Sequence, residues 1–189
     1  MALDFRHILK DKTQLDHTRV DTALSGFDVA TQAGLTGFLD IHHACFSQMR
    51  IASDNDAELQ AGLTDMIDRI DADLRRLGAR PSCATIGLDA AVDPLAMAYL
   101  VEGSRLGSKV LGRRWASSDD PNVLAADAYF SLEPVKGRWR EVCDLLAAVP
   151  PDSTRAATIS RDTATLFRLF LQTAQGAASD HATPKVLAS

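Results

Sequence analysis

The chain is poor in several of the features that announce a function. Only 6% of its 189 residues are aromatic, and its three cysteines stand far apart without a Cys-x-x-Cys. Cys45, Cys83 and Cys143 therefore read as free thiols in a reducing compartment. No Gly-x-Gly-x-x-Gly or other nucleotide motif occurs. No apolar segment reaches the roughly 20 residues that a membrane-spanning helix needs, and the start Met1-Ala2-Leu3-Asp4-Phe5-Arg6 lacks a signal-peptide pattern. A net charge of −5 with scattered lysines and arginines gives no nucleic-acid footprint. What is left is a cytoplasmic, soluble protein, long enough for one core and too short for two comfortable ones.

What the chain does have is helical periodicity. Leu9, Thr13, His17, Val20 and Leu24 share one face of a first helix that begins after Asp4. A second helix is predicted from about Val29 to Met49. A third starts at Asp54 or Asp56 as cap and carries Leu59, Leu63, Met66, Ile67, Ile70, Leu74 and Leu77. Gly78 to Ser82 is a break. A glycine-bearing helix follows from Pro94 to Leu111, then a loop at Ser117 to Pro121, an interruption at Gly137, and helices over Trp139–Val149 and Ala156–Ala174. The expected fold class is all-α: a single-domain bundle of six to nine helices over residues 1–176, with a flexible tail over 177–189.

Two motifs stand out within this frame. In the predicted fourth helix, Tyr99, Gly103 and Gly107 recur at i, i+4 and i+8 on one stripe. A glycine in a helix interior costs about 0.5–1 kcal/mol relative to alanine. Two on one face mean either close packing of a neighbouring helix or a flat ligand against the backbone. In the first helix, Lys10, Thr13 and His17 are spaced to project together, with Lys10 about 10 Å along the axis from His17. An imidazole can ligate haem iron, and an ammonium at that reach can pair with a propionate.

Together the motifs resemble the haem oxygenase family, in its bacterial, biliverdin-producing branch. The pattern Leu-Lys-x-x-Thr-x-x-x-His is present at Leu9, Lys10, Thr13 and His17, followed by Arg19, Val20 and Asp21. The pattern Tyr-x-x-Glu-Gly-Ser-x-x-Gly is present at Tyr99, Glu102, Gly103, Ser104 and Gly107. Phe130, Gly137-x-Trp139 and Thr165-Leu166-Phe167 follow in the expected order. The resemblance implies a haem sandwiched between a proximal N-terminal helix and a glycine-bearing distal helix. It assigns the iron to His17 and haem contacts to Lys10, Thr13, Tyr99, Gly103, Gly107 and Phe167. Gly103, Ser104 and Gly107 form the distal, catalytic side, and Arg138, Arg140 and Arg161 are candidates for the second propionate.

The implied reaction converts haem, as cofactor and substrate, with O2 and electrons into biliverdin, carbon monoxide and ferrous iron. Electrons would come from an external donor such as a ferredoxin, a flavodoxin or a flavin reductase, and the resemblance implies either supply of biliverdin to a bilin-binding phytochrome or release of iron from haem. No histidine lies in the distal helix to favour peroxidase-like O–O cleavage. Ser104 replaces the aspartate of the animal enzymes, Ser108 is slightly larger than the small residue of many relatives and tightens the site, and a distal face crowded by Ser108 and Arg105 would be the sign of a sensor or carrier. The rival readings are a haem sensor or carrier without turnover, and a non-haem di-iron oxidase built on Asp4-x-x-His7 and Asp40-x-x-His43. Neighbours His42 and His43 cannot both face the core of a helix, so one of them is expected in solvent. Asp65, Asp68 and Asp71 read as a solvated stripe.

Overall fold

Short polar side chains placed just before apolar runs set where the helices begin. Asp4, Thr31, Asp56, Asp93 and Asp120 each accept a hydrogen bond from a backbone N–H of the first turn that follows. Pro94 and Pro121 sit inside two of those starts, where a missing N–H costs nothing. The computed structural model describes residues 4–53, 56–88 and 90–182. Over them the order is α1 (Phe5–Leu24), α2 (Gln32–Ile51), α3 (Ala57–Arg76), α4 (Pro94–Trp115), α5 (Pro121–Ala125), α6 (Arg138–Ala147) and α7 (Thr154–Ala182). Among the described residues there is no strand, so the all-α expectation holds.

Several boundaries move for identifiable reasons. Residues 29 and 30 form a turn closed by Asp28, whose carboxylate accepts from the Ala30 N–H at 3.1 Å, so α2 starts after Thr31 and not at Val29. A Cβ on Gly34 would collide with the Asp28 carbonyl, which makes that glycine a packing requirement. The cap of α3 is Asp56, while Asp54 lies outside the described residues. Gly137, at φ +87°, turns the chain into α6. α7 continues through Gly176 to Ala182, past the point at which the sequence suggests an end.

α7 is the hub. It packs along α1, α2 and α4, while α2 also lies along α3, and α6 fills the space beside α1 and α4. The shared core includes Phe38, Phe46, Met66, Ile70, Leu100, Leu166 and Phe170, all buried. The irregular chain between α3 and α4 is tied down by side chains. Asp40 accepts from the Ser82 N–H, the Ser82 hydroxyl and the Cys83 N–H at 2.9, 2.8 and 3.1 Å. Thr85 bonds Thr173 at 2.9 Å, and Asp162 accepts from the Asp93 N–H at 2.8 Å. Buried Asp73 does the same for the turn after α5, accepting from the Ala128 and Tyr129 N–H groups at 2.9 and 2.8 Å.

Both neighbouring histidines find partners in the structure, which corrects the expectation that one is solvated. His42 is fully enclosed among Phe38, Phe46, Tyr129 and Phe170, and its Nδ1 donates to the Phe38 carbonyl at 2.8 Å. His43 lies between α2 and α3 with Nε2 3.2 Å from Asp71, its side chain 19% exposed. Turning one residue round a helix by 100° still leaves both on covered flanks, because α2 has neighbours on two sides. Asp65 pairs with Arg69 at 3.0 Å, so two of the three carboxylates in the expected stripe are engaged.

Burial pushes the His42 imidazole down to about 4 from 6.5, the hydrogen bond to Phe38 opposing this only in part. The unfolded chain therefore takes up a proton that the folded chain refuses between these values. Stability is full above pH 6.5 and falls as pH drops toward 4, by about 1.4 kcal/mol per pH unit from this group. Urea melts across pH 4–7 should show that slope, and His42→Gln should flatten it even if the variant is less stable throughout.

Candidate functional site

His17 lies on the exposed flank of α1, beside the buried stripe of Phe5, Leu9, Thr13 and Val20. Its Nδ1 stands 3.1 Å from the Asp21 carboxylate one turn on. A carboxylate this close to Nδ1 is the kind of neighbour that orients a metal-binding imidazole. The edge of the same ring meets Phe167 of α7, with centroids 5.6 Å apart at 83°. Lys10 is exposed two turns earlier on the same flank. Thr13 departs from the expected trio: it is buried, and its hydroxyl donates to the Leu9 carbonyl at 2.8 Å. It belongs to the α1–core contact and does not project with Lys10 and His17.

On α4, Tyr99 is half-buried and lies against the Trp139 ring of α6, with centroids 5.5 Å apart at 31°. Burial raises its phenol above the ordinary value, and the charge of Arg6 on α1 draws it partly back. The start of α1 therefore approaches this end of α4. A Cβ on Gly103 would meet only the rim of Trp139, at 3.9 Å, and a Cβ on Gly107 would meet nothing within 4 Å. Neither glycine is needed by a neighbouring helix, in contrast to Gly34. Next to them Leu106 and Val110 are 40% and 67% exposed, so the outer half of α4 presents backbone and aliphatic side chains to the outside.

The other distal-helix side chains turn away from this face. Ser104 and Ser108 donate to backbone carbonyls of their own helix, Val101 and Ser104, at 2.8 and 2.9 Å. Ser104 therefore spends its hydroxyl inside α4. Glu102 and Arg105 form a buried ion pair at 3.3 Å on the opposite side, near Gly62 of α3. Burial raises the Glu102 carboxyl despite the neighbouring Arg105 and Arg138. Ser108 and Arg105 both face inward, so the crowding that would mark a sensor or carrier is not seen at these two residues. Of the propionate candidates, Arg138 is taken by Glu141 and Glu58 at 2.9 and 3.3 Å, and Arg161 by Asp162 at 3.0 Å. Arg140 is exposed.

The structure thus joins His17 to Phe167, and Tyr99 and Gly103 to Trp139. α1 and α4 do not pack on each other as a pair, and α6 and α7 stand beside both. The predicted residues fall into two groups, one on α1 and α7 and one on α4 and α6. A separate groove of about 590 Å3, lined by Thr18, Thr22, Leu171 and Ala174 among others, runs between α1 and α7 and includes none of them. Among the described residues no cluster of three or more His, Cys, Asp and Glu side chains is placed to hold a metal ion. Asp4 is occupied as the cap of α1, and Asp40 by Ser82 and Cys83, so neither half of the di-iron reading has its carboxylate free. No described helix is long and apolar enough to cross a membrane. No family model matches this chain, and no curated protein matches it.

Sequence reasoning overlooked Asp21 as the partner of His17, although the i, i+4 spacing offered that signal. It also missed the exposed pair Leu106 and Val110, legible as apolar residues three positions after each glycine. Because the space over Gly107 is open, Gly107→Ala should gain helix propensity without a clash. A rise of about 0.5–1 kcal/mol in stability, or roughly 1–4 °C in melting temperature, is expected. Gly34→Ala should do the reverse. A fall in melting temperature for Gly107→Ala would mean that the glycine serves internal packing.

Proposed function

We propose that the protein is a haem oxygenase that opens its substrate's porphyrin ring to give biliverdin, carbon monoxide and ferrous iron. The observation that carries this reading is the bare face of α4. Two glycines occupy a helix interior at a cost in stability, no protein atom requires them, and exposed aliphatic side chains flank them. A flat, apolar ligand lying against the backbone accounts for all three features. The donor set fits haem as well: His17 is an exposed imidazole with the Asp21 carboxylate 3.1 Å from Nδ1 and the Phe167 ring against it.

When bound, haem supplies the iron that activates O2 and the meso carbon that is oxidised. The chain's own part is to hold and orient. His17 ligates, and Lys10 and Tyr99 provide a cation and a hydroxyl for the propionates. Gly103 and Gly107 allow backbone approach on the distal side, where the inward turn of Ser104, Ser108 and Arg105 leaves no acid–base side chain of their own over the ring. The site includes no nucleotide-binding element, so electrons come from an external ferredoxin, flavodoxin or flavin reductase, and the bilin passes to an acceptor such as a phytochrome.

The test is a visible spectrum after hemin is added, followed in air once a reductant is supplied. A Soret band that forms and gives way to broad red bilin absorption is expected. A band that forms and persists would indicate a carrier, and no band would overturn haem binding altogether. His17→Ala should abolish most turnover and recover part of it with added imidazole. Gly107→Ala should lower turnover while leaving the fold at least as stable, since activity and stability pull in opposite directions at such a position.

A further inference from the structure

The inner side of α4 holds a buried polar cluster that the proposed reaction does not use. The Glu102 and Arg105 side chains are each 9% exposed and meet at 3.3 Å through the Arg105 Nη1. The Arg105 Nε is buried, and no acceptor of the protein reaches it. A buried N–H of a charged group without a partner is expensive, so native structures seldom leave one. Beside it lies a hollow of about 10 Å3 lined by Met66, Arg105, Ser108, Tyr129 and Leu132. That is close to the volume one water molecule requires, and a water also needs two to four polar partners.

The partners are present with matching polarity. Ser108 Oγ donates to the Ser104 carbonyl at 2.9 Å, so in its 3.2 Å contact with the Tyr129 hydroxyl the phenol is the donor. This leaves the Tyr129 oxygen and the second lone pair of Ser108 as acceptors, and Arg105 Nε–H as a donor, around one hollow. Met66 and Leu132 close the remaining walls. The space is too small for a polyatomic anion, and Glu102 already balances the guanidinium charge.

We infer that this hollow is a built site for a single structural water, accepting from Arg105 Nε and donating to Tyr129 and Ser108. The water ties α4 to the segment carrying Tyr129, whose ring sits against Phe38 and His42 in the core. Arg105 is thereby a positioning residue: it holds from behind the stretch of α4 that bears Gly103 and Gly107. This does not depend on haem, so it is tested on the protein alone.

A crystal structure fine enough to show ordered solvent should place one water within about 3.2 Å of both Arg105 Nε and the Tyr129 oxygen. In native-state hydrogen exchange, Tyr129→Phe should speed the amides of residues 103–110 roughly ten-fold and leave those of α1 unchanged. Arg105→Lys, which keeps a cation beside Glu102 and leaves the Ser108–Tyr129 contact intact but puts a methylene where Nε stood, should also speed the amides of residues 103–110. An empty hollow, or Arg105 Nε bonded to a protein acceptor, would overturn the site. Unchanged exchange in Arg105→Lys would overturn the role of the water in holding α4.

Discussion

The long helix α7 has to satisfy α1, α2 and α4 at the same time, and the position of everything else follows from how it does so. At 29 residues it extends about 44 Å. Leu166, Leu169 and Phe170 are fully or almost fully buried where its partners converge, and Phe167 reaches the ring of His17. An interior this closely filled tolerates little change in volume. The angle at which α1 offers its histidine and the angle at which α4 offers its glycines are therefore set by one packing solution rather than two. α6, wedged beside both, adds Trp139 as the contact between Tyr99 and Gly103.

α4 divides its chemistry cleanly between two sides. Its outer side is stripped to backbone and aliphatic groups at Gly103, Leu106, Gly107 and Val110. Its inner side carries a carboxylate, a guanidinium and a hydroxyl at Glu102, Arg105 and Ser108, the last meeting the Tyr129 phenol of the segment after α5. A helix weakened by two glycines gains from being gripped on the other side, because a buried polar network is directional in a way that apolar contact is not. The weak propensity and the strong grip are consistent with a segment whose backbone has to stay close to a fixed plane.

Much of this arrangement was legible in residue order, and the exceptions have physical causes. Apolar spacing marked α1, α3 and α4 because each buries one stripe, and Asp4 and Asp56 marked two of their starts. α5 escaped notice because five residues carry too little periodicity to separate from the Ser117–Pro121 loop. Spacing placed Thr13 with Lys10 and His17, but a few tens of degrees round the helix were enough to bury it and turn its hydroxyl to Leu9. The inward turn of Arg105 was hidden because it depends on Glu102 for charge and on Gly62 of α3 for room. The part that Asp40 and Asp73 play in tying down loops was not legible, since the N–H groups that they satisfy lie 42 to 56 residues away.

One consequence of the architecture concerns time. The inner stripe of α1, with Phe5 and Leu9 almost wholly covered, finds its main partner in α7, at the other end of the chain. The pairing of His17 with Phe167 spans 150 positions. On the ribosome α1 emerges well before α7, its apolar stripe without the surface that will cover it until that helix has been made. Loop-closure entropy must be met before this contact yields any stabilisation. The His17 imidazole is thus synthesised well before the ring it packs on, and it reaches its final setting only once α7 has been made.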